Sequence, residues 1–331
     1  MRVLVVGAGA IGGYFGGRLV EAGHDVSFLV RSRRAAELAR TGLVIRSRLG
    51  DIDLSAPQTV TADVLRQPFD LVILSCKAYD LDDAMASVAP AVRPETMILP
   101  LLNGMRHLDA LEARFGANHV LGGQCLISAA LDPDGRILHL SDNHILSFGE
   151  RDGSRSARVE AVASVLSSAR FEARLSEAIL QEMWEKWVFI ATGAGITCLM
   201  RAAIGDIVAA GAAQLATGLF DECTTIATGR GFPPRPEFLE RTRLMLTAPG
   251  SPLTASMLRD IERGRRSRPT TSSATCFAAA ARTEMAARSS TSRSVMSKPT
   301  RLDAQGTRLR HKRALNACYN ACDQNPRRGE R

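Results

Sequence analysis

Near the start of the chain, Gly7, Ala8, Gly9, Ala10, Ile11 and Gly12 form G-x-G-x-x-G between an apolar run and a segment of helical periodicity. A loop of this kind, joining a strand to a helix, is the fingerprint of a dinucleotide-binding site. Gly7 permits the tight turn, Gly9 lets the backbone approach a pyrophosphate, and Gly12 lets helix and strand pack closely. The helix N-terminus then faces the phosphates. A glycine-rich turn without a ligand is the alternative. NAD-specific folds place an acid at the end of the second strand, about 20 residues on. Here "FLVRSRR" puts Arg31 at that place, with Arg33 and Arg34 beside it. A guanidinium there suits the 2′-phosphate of NADP(H), and the missing acid points the same way. A solvated basic turn is the alternative. Lys77 follows "LVILSC" and Asn103 follows "ILPLL". Both therefore fall at the carboxyl ends of strands, where ligands bind in open α/β sheets. Lys186 stands in "MWEKWVF". A lysine among apolar residues is commonly a surface residue whose stem lies along the helix.

The elements that must position these residues follow from the hydrophobic pattern. "MRVLVVG" reads as a strand buried on both faces, and "GGYFGGRLVEAG" as a helix stopping at Gly23. "HDVSFLVR" is a strand and "SRRAAELARTG" a helix ending at Gly42. "LVIRS", "FDLVILSC", "TMILPLLN" and "HVLGGQCLIS" are further strands, with helices such as "DLDDAMASVAPAV" and "RHLDALEARFG" between several of them. This alternation predicts an α/β Rossmann-like fold with a parallel, doubly wound sheet. "GRILHLSDNHILSFGE" reads as a hairpin or edge strands closing the domain, completed by the helix "SARVEAVASVLSSAR" and the strand "FEARLS". After about Ile179 the pattern is helical, in "LQEMWEKWVFIATGAGITCLM", "AAGAAQLATGLFDECTTIATGRG" and "RPEFLERTRLMLTA", which predicts an all-α second domain. The expected organisation is a dinucleotide-binding domain over 1–170, a helical domain over 178–266 and an irregular basic tail over 267–331.

Composition narrows the classes. A chain of 331 residues holds two ordinary domains, and 45% hydrophobic residues suit a soluble globular protein. No apolar run reaches the roughly 18 residues of a membrane span. The N-terminal apolar run turns into the glycine loop too early for a signal peptide. The seven cysteines are scattered, and "CYNAC" is not a zinc half-site, so reduced thiols, no metal and a cytoplasmic location are expected. The net charge of +8 is unevenly placed. Residues 263–331 hold 16 Lys and Arg against 4 Asp and Glu, which leaves 26 basic and 30 acidic residues in 1–262. The patterned body is mildly acidic, which argues against a nucleic-acid partner.

The pieces "VVGAGAIGGYFGGRL", "SCKAYDL", "LLNGM", "MWEKWVF" and "SMLRDIERGR", in that order, resemble the ketopantoate reductase (2-dehydropantoate 2-reductase) family over residues 1 to about 266. The resemblance implies an N-terminal NADP-binding Rossmann domain, a helical C-terminal domain and a substrate held between them. It implies NADPH-dependent reduction of a small 2-oxo acid, foremost 2-dehydropantoate to pantoate; a monomer or homodimer is expected. It gives Lys186 the role of catalytic proton donor and gives Asn103 contacts to cofactor and keto group. Lys77 falls at the cofactor site and Ser256 on the substrate carboxylate.

Two features depart from the family. Its asparagines four and eight residues after the catalytic lysine, and again further on, are replaced here by Ile190, Ala194 and about Ile204. An apolar helix face suits a more hydrophobic 2-oxo acid. The second departure is the tail. From residue 263 to 300 there is no Leu or Ile and a single Val. A frameshift near codon 266 is one reading. In the neighbouring frame, permitted codons for 267–279 spell "EADHILGDLLRR", which resembles the family's continuation. If one base was lost just upstream, its Glu falls at position 268, twelve after Ser256, where the family keeps a ligand-binding Glu and this chain has Arg268. Low-complexity disorder is the alternative. A non-catalytic or decayed NADP-binding protein of the same fold is the competing function.

Overall fold

The structure, a computed structural model, describes residues 1–262. The frameshift reading and the basic tail lie outside the described residues. The chain divides into two compact units, Met1–Met183 and the part from Trp184 onward.

The first unit opens with β1 (Arg2–Val6), α1 (Ala10–Glu21), β2 (Asp25–Leu29) and α2 (Ser32–Thr41). β3 (Leu43–Arg46), β4 (Ile52–Leu54), β5 (Thr59–Val60) and β6 (Leu71–Leu74) follow. Next come α3 (Leu81–Val88), β7 (Met97–Pro100), α4 (Arg106–Phe115), β8 (Gly122–Leu131) and β9 (Ile137–Gly149). α5 (Ala157–Ser167) and β10 (Glu172–Leu175) complete it. One five-stranded sheet has the order β5-β2-β1-β6-β7, with every pairing parallel. That is the doubly wound pattern predicted from the sequence. The direction of winding reverses between β1 and β6, and such a switch point opens a crevice at the strands' carboxyl ends.

Alternate residues of β1 serve two cores. Val3 and Val5 pack with Phe15 and Leu19 of α1, and Leu4 and Val6 pack with Met85 of α3 and Leu108 of α4. Burial on both faces explains why these strands read as unbroken apolar runs.

The single sheet expected from the sequence is one of two. β10, β9, β3 and β4 form a second sheet in that order, with β8 paired along β9. β3 runs parallel to β9 through Ile45 and Ile137, and antiparallel to β4. β8 runs antiparallel to β9 and β10 parallel to it. The segment read as a hairpin or edge strands is thus one 13-residue strand in the sheet interior. Its polar stretch, Ser141 to His144, mimics a turn. Instead, Ser141 Oγ and His139 Nε2 donate to the Asn143 carbonyl at 3.0 Å each, and the β8–β9 register shifts between Ile127 and Ala129. Helix α1 is packed from both sides. A Cβ at Gly16 would lie 2.6 Å from Phe28 of β2, and one at Gly17 2.7 Å from Ile45 of β3. "GGYFGG" therefore lets one helix approach two sheets.

The second unit is helical: most of α6 (Ile179–Met200), then α7 (Ile204–Ala209), α8 (Ala213–Gly229), α9 (Pro236–Leu246) and α10 (Ser256–Glu262). The segment "AAGAAQLATGLFDECTTIATGRG", read as one helix, is α8 preceded by the end of α7, with a break at Gly211 where φ is +75°. The start of α7 is tied down by the Ile204 and Gly205 N–H groups, which donate to the Leu253 and Ser251 carbonyls at 3.0 and 2.9 Å.

Candidate functional site

The parallel sheet delivers the sequence-marked residues of the first unit to one edge. Gly7 follows β1, Arg31 follows β2, Lys77 follows β6 and Asn103 follows β7, so all four stand just past the carboxyl ends of their strands. Arg31, Lys77 and Asn103 are exposed.

The glycine loop starts from a fixed base. The Gly7 N–H donates to the Leu29 carbonyl at 2.9 Å, and Gly7 adopts φ +93°, a region that favours glycine. Ser75 Oγ donates to the Val6 carbonyl at 2.9 Å, which joins the end of β6 to the loop. A Cβ at Gly12 would lie 2.1 Å from that Ser75 oxygen and 2.2 Å from the Gly7 carbonyl. Gly9 differs: a Cβ there meets nothing within 4 Å. Gly9 is also the N-cap of α1, and it brings no side-chain acceptor to the helix's first N–H groups. A cradle of backbone donors with open space above its middle glycine fits a dinucleotide pyrophosphate.

The three arginines after β2 have different surroundings. Arg31 is largely exposed, and its Nη2 donates to Asp80 Oδ1 at 2.8 Å. Hydrogen bonding to Asp80, then the Asp80 charge, holds the Arg31 pKa above its usual value. Arg33 pairs with Glu37 at 3.2 Å on the surface. Arg34 is mostly buried. It donates to the Ala8 carbonyl from Nε at 3.3 Å and Nη2 at 3.1 Å, to the Gly135 carbonyl at 3.1 Å and to Glu37 at 3.2 Å. Arg34 thus ties the glycine loop to α2 and to the β8–β9 turn, so its charge is engaged in structural contacts. Its partners lie 26 and 101 residues away, so no local pattern announces them.

In the second unit Lys186 sits half-buried on α6, with Ile190 and Ala194, also half-buried, one and two turns further along. Ile204 is fully buried, a core position rather than one that faces a ligand. The turn that carries Lys186 is held from the α8–α9 connection. The Glu185 carboxylate, 6% exposed, accepts from the Arg235 backbone N–H at 2.9 Å, Nε at 2.8 Å and Nη2 at 2.5 Å. Trp184 meets Trp187 edge-on at 5.3 Å and Phe232 face-on at 6.0 Å. The sequence reading missed this clamp, whose only trace is a Glu beside the lysine. Ser256 is exposed at the first position of α10. The preceding Ala255 N–H donates to Thr197 Oγ1 at 3.3 Å. That contact lies 11 residues, or roughly 16 Å of helix, along α6 from Lys186.

The profile of the family described as ketopantoate reductase PanE/ApbA matches residues 3–153, and its C-terminal companion matches residues 178–287. The chain belongs to the ketopantoate reductase family. Among relatives of this ketopantoate reductase-family chain, an uncharacterized oxidoreductase of Bacillus subtilis, YkpB, is 42% identical over 266 residues, covering 80% of this chain and 87% of the relative. A 2-dehydropantoate 2-reductase of Mesorhizobium japonicum is 27% identical, again covering 80% and 87%. The crystal structure of 2-dehydropantoate 2-reductase from Geobacter metallireducens superposes with a TM-score of 0.74 at 28% identity, covering 85% of this chain and 94% of that one. As an oxidoreductase of the ketopantoate reductase family, the chain has its glycine loop in the N-terminal match and Lys186 and Ser256 in the C-terminal match. Among the described residues no helix is long and apolar enough to cross a membrane, and no three His, Cys, Asp or Glu side chains form a group that could hold a metal.

Proposed function

We propose that this chain is an NADPH-dependent reductase of a small 2-oxo acid, with 2-dehydropantoate as the family substrate and a more apolar 2-oxo acid as the one its α6 stripe favours. The observation that carries the reading is the glycine loop with its open cradle at Gly9, inside a chain of this family. Residues 1–170 act as the cofactor domain and 178–266 as the catalytic domain. Gly7 to Gly12 present backbone N–H groups to the pyrophosphate, Arg31 meets the 2′-phosphate, and Lys77 lies at the cofactor edge. A reduced nicotinamide, when held there, would supply the hydride that the C2 keto carbon accepts. Negative charge then grows on the keto oxygen, and the Lys186 ammonium stabilises it and delivers the proton from Nζ. The Asn103 amide donates a second hydrogen bond and orients the carbonyl. Ser256 takes the substrate carboxylate. Lys186, Ile190 and Ala194 on one face of α6 support the choice of an apolar side chain, because neither Ile190 nor Ala194 can itself hydrogen-bond a substrate hydroxyl.

Fluorescence titration with NADPH and NADH tests the cofactor half. The expected order is NADPH tighter than NADH, and Arg31→Ala should weaken NADPH by about 1.5 kcal/mol. That is the lower end for a charge-assisted contact, because the guanidinium is exposed. Tighter binding of NADH, or no effect of the substitution on NADPH, contradicts it.

A further inference from the structure

We propose that Asp80 is a second determinant of cofactor charge, competing with the 2′-phosphate of the cofactor for Arg31. The proposal rests on the dinucleotide reading above and adds to it a residue from a different strand. Arg31 stands just past β2 and Asp80 in the 3-10 turn after β6. β2 and β6 are the two parallel neighbours of β1. The Arg31–Asp80 contact of 2.8 Å therefore links the two strands that flank the origin of the glycine loop. A dinucleotide laid along these carboxyl ends meets this pair.

The Asp80 carboxylate does not serve α3. Asp80 occupies the N-cap position of α3, yet its carboxylate makes no capping hydrogen bond there. Asp82 and Asp83 already place negative charge in the first turn of α3, where the helix N-terminus favours it. The Asp80 carboxylate is turned to Arg31 instead.

Exposure makes the pair exchangeable. The Arg31 side chain is 77% exposed and that of Asp80 28%. Pairs of this kind contribute little, at most about fivefold in a binding constant. A 2′-phosphate must take the guanidinium away from Asp80 and then lie beside a carboxylate of its own sign. A ribose 2′-hydroxyl meets neither cost, and a carboxylate near it can accept its hydrogen bond, as the acid of NAD-specific folds does. That acid is missing at the end of β2, and Asp80 brings one to the same neighbourhood from β6. Arg31 alone makes the site select NADPH, and Asp80 pulls the selectivity back toward NADH.

The test is the dissociation constant of NADPH and of NADH for the full chain as wild type, Asp80→Asn, Asp80→Ser and Asp80→Glu, read by nucleotide fluorescence. Asp80→Asn and Asp80→Ser should both tighten NADPH about tenfold and leave NADH unchanged or weaker by up to about threefold, with the gain shrinking as salt is added. Asp80→Glu keeps the charge and should keep the wild-type ratio. A ratio that moves less than twofold in both neutral variants overturns the proposal, as does equal weakening of both cofactors. If the wild type binds neither nucleotide, the dinucleotide reading fails and the proposal fails with it. If the wild type binds and the ratio stays fixed, the proposal fails alone.

Discussion

Gly9 and Gly12 sit three residues apart in the same loop, and the fold treats them oppositely. Gly9 has φ −87° and no atom within 4 Å of an added Cβ, so Gly9→Ala should leave unfolding stability within about 1 kcal/mol of the wild type. The same methyl enters the space that a pyrophosphate needs. Dinucleotide affinity should then fall on the order of tenfold, or about 1.4 kcal/mol. Gly12→Ala pushes a methyl into Ser75 Oγ and the Gly7 carbonyl, and should cost about 3 kcal/mol of stability, the upper range for overpacking. Thermal melts and a binding titration on the two variants separate the roles. Loss of stability in Gly9→Ala, or normal stability in Gly12→Ala, contradicts the geometry. These residues are legible in the sequence because their spacing is fixed by local backbone geometry. Arg34 and Asp80 are not, since each acts through a partner 26 or more residues away that no periodicity marks.

At the scale of elements, β1, β2, β6 and β7 were legible as short apolar runs because both their faces are covered. The second sheet was not. Its β3–β9 pairing joins Ile45 to Ile137, and the polar residues inside β9 look like a turn until their hydrogen bonds are seen. The packing of α5 shows how such an element is fastened. Ser156 caps it by accepting from the Val159 N–H at 3.2 Å. Glu150, just past β9, accepts from Arg158 Nε and Nη2 at 2.6 Å each and from Ser156 Oγ at 2.5 Å. The Arg158 hydrogen bonds, opposed by desolvation, hold the Glu150 pKa below the ordinary glutamate range. A carboxyl whose pKa falls on folding adds stability above its unfolded-state pKa, and that stability is lost as pH drops through the folded value. Acid unfolding of the wild type should therefore steepen below the ordinary glutamate range, and Glu150→Gln should lower stability at neutral pH while flattening that limb. An acid limb unchanged by Glu150→Gln, followed by circular dichroism, speaks against this account.

For the whole molecule, the family match covers residues 3–153 and 178–287, and the candidate site residues all fall within it. The acidic, well-patterned residues 1–262 carry the glycine loop, Lys77, Asn103, Lys186 and Ser256, and the excess of basic residues follows them. The proposed reaction asks the first unit for a cofactor cradle and the second for a proton donor. The Glu185–Arg235 clamp holds the helix turn that carries Lys186, the proposed proton donor. The decisive measurement is NADPH oxidation at 340 nm by the full chain against a panel of 2-oxo acids, hydroxylated and apolar, for wild type and Lys186→Ala. The wild type should turn over at least one 2-oxo acid, with apolar ones favoured over 2-dehydropantoate. Lys186→Ala should lower that turnover about 10²–10⁴-fold, the worth of a general acid, with NADPH binding unchanged. A wild type that binds NADPH yet reduces no 2-oxo acid, or a Lys186→Ala rate within threefold of the wild type, contradicts the assignment.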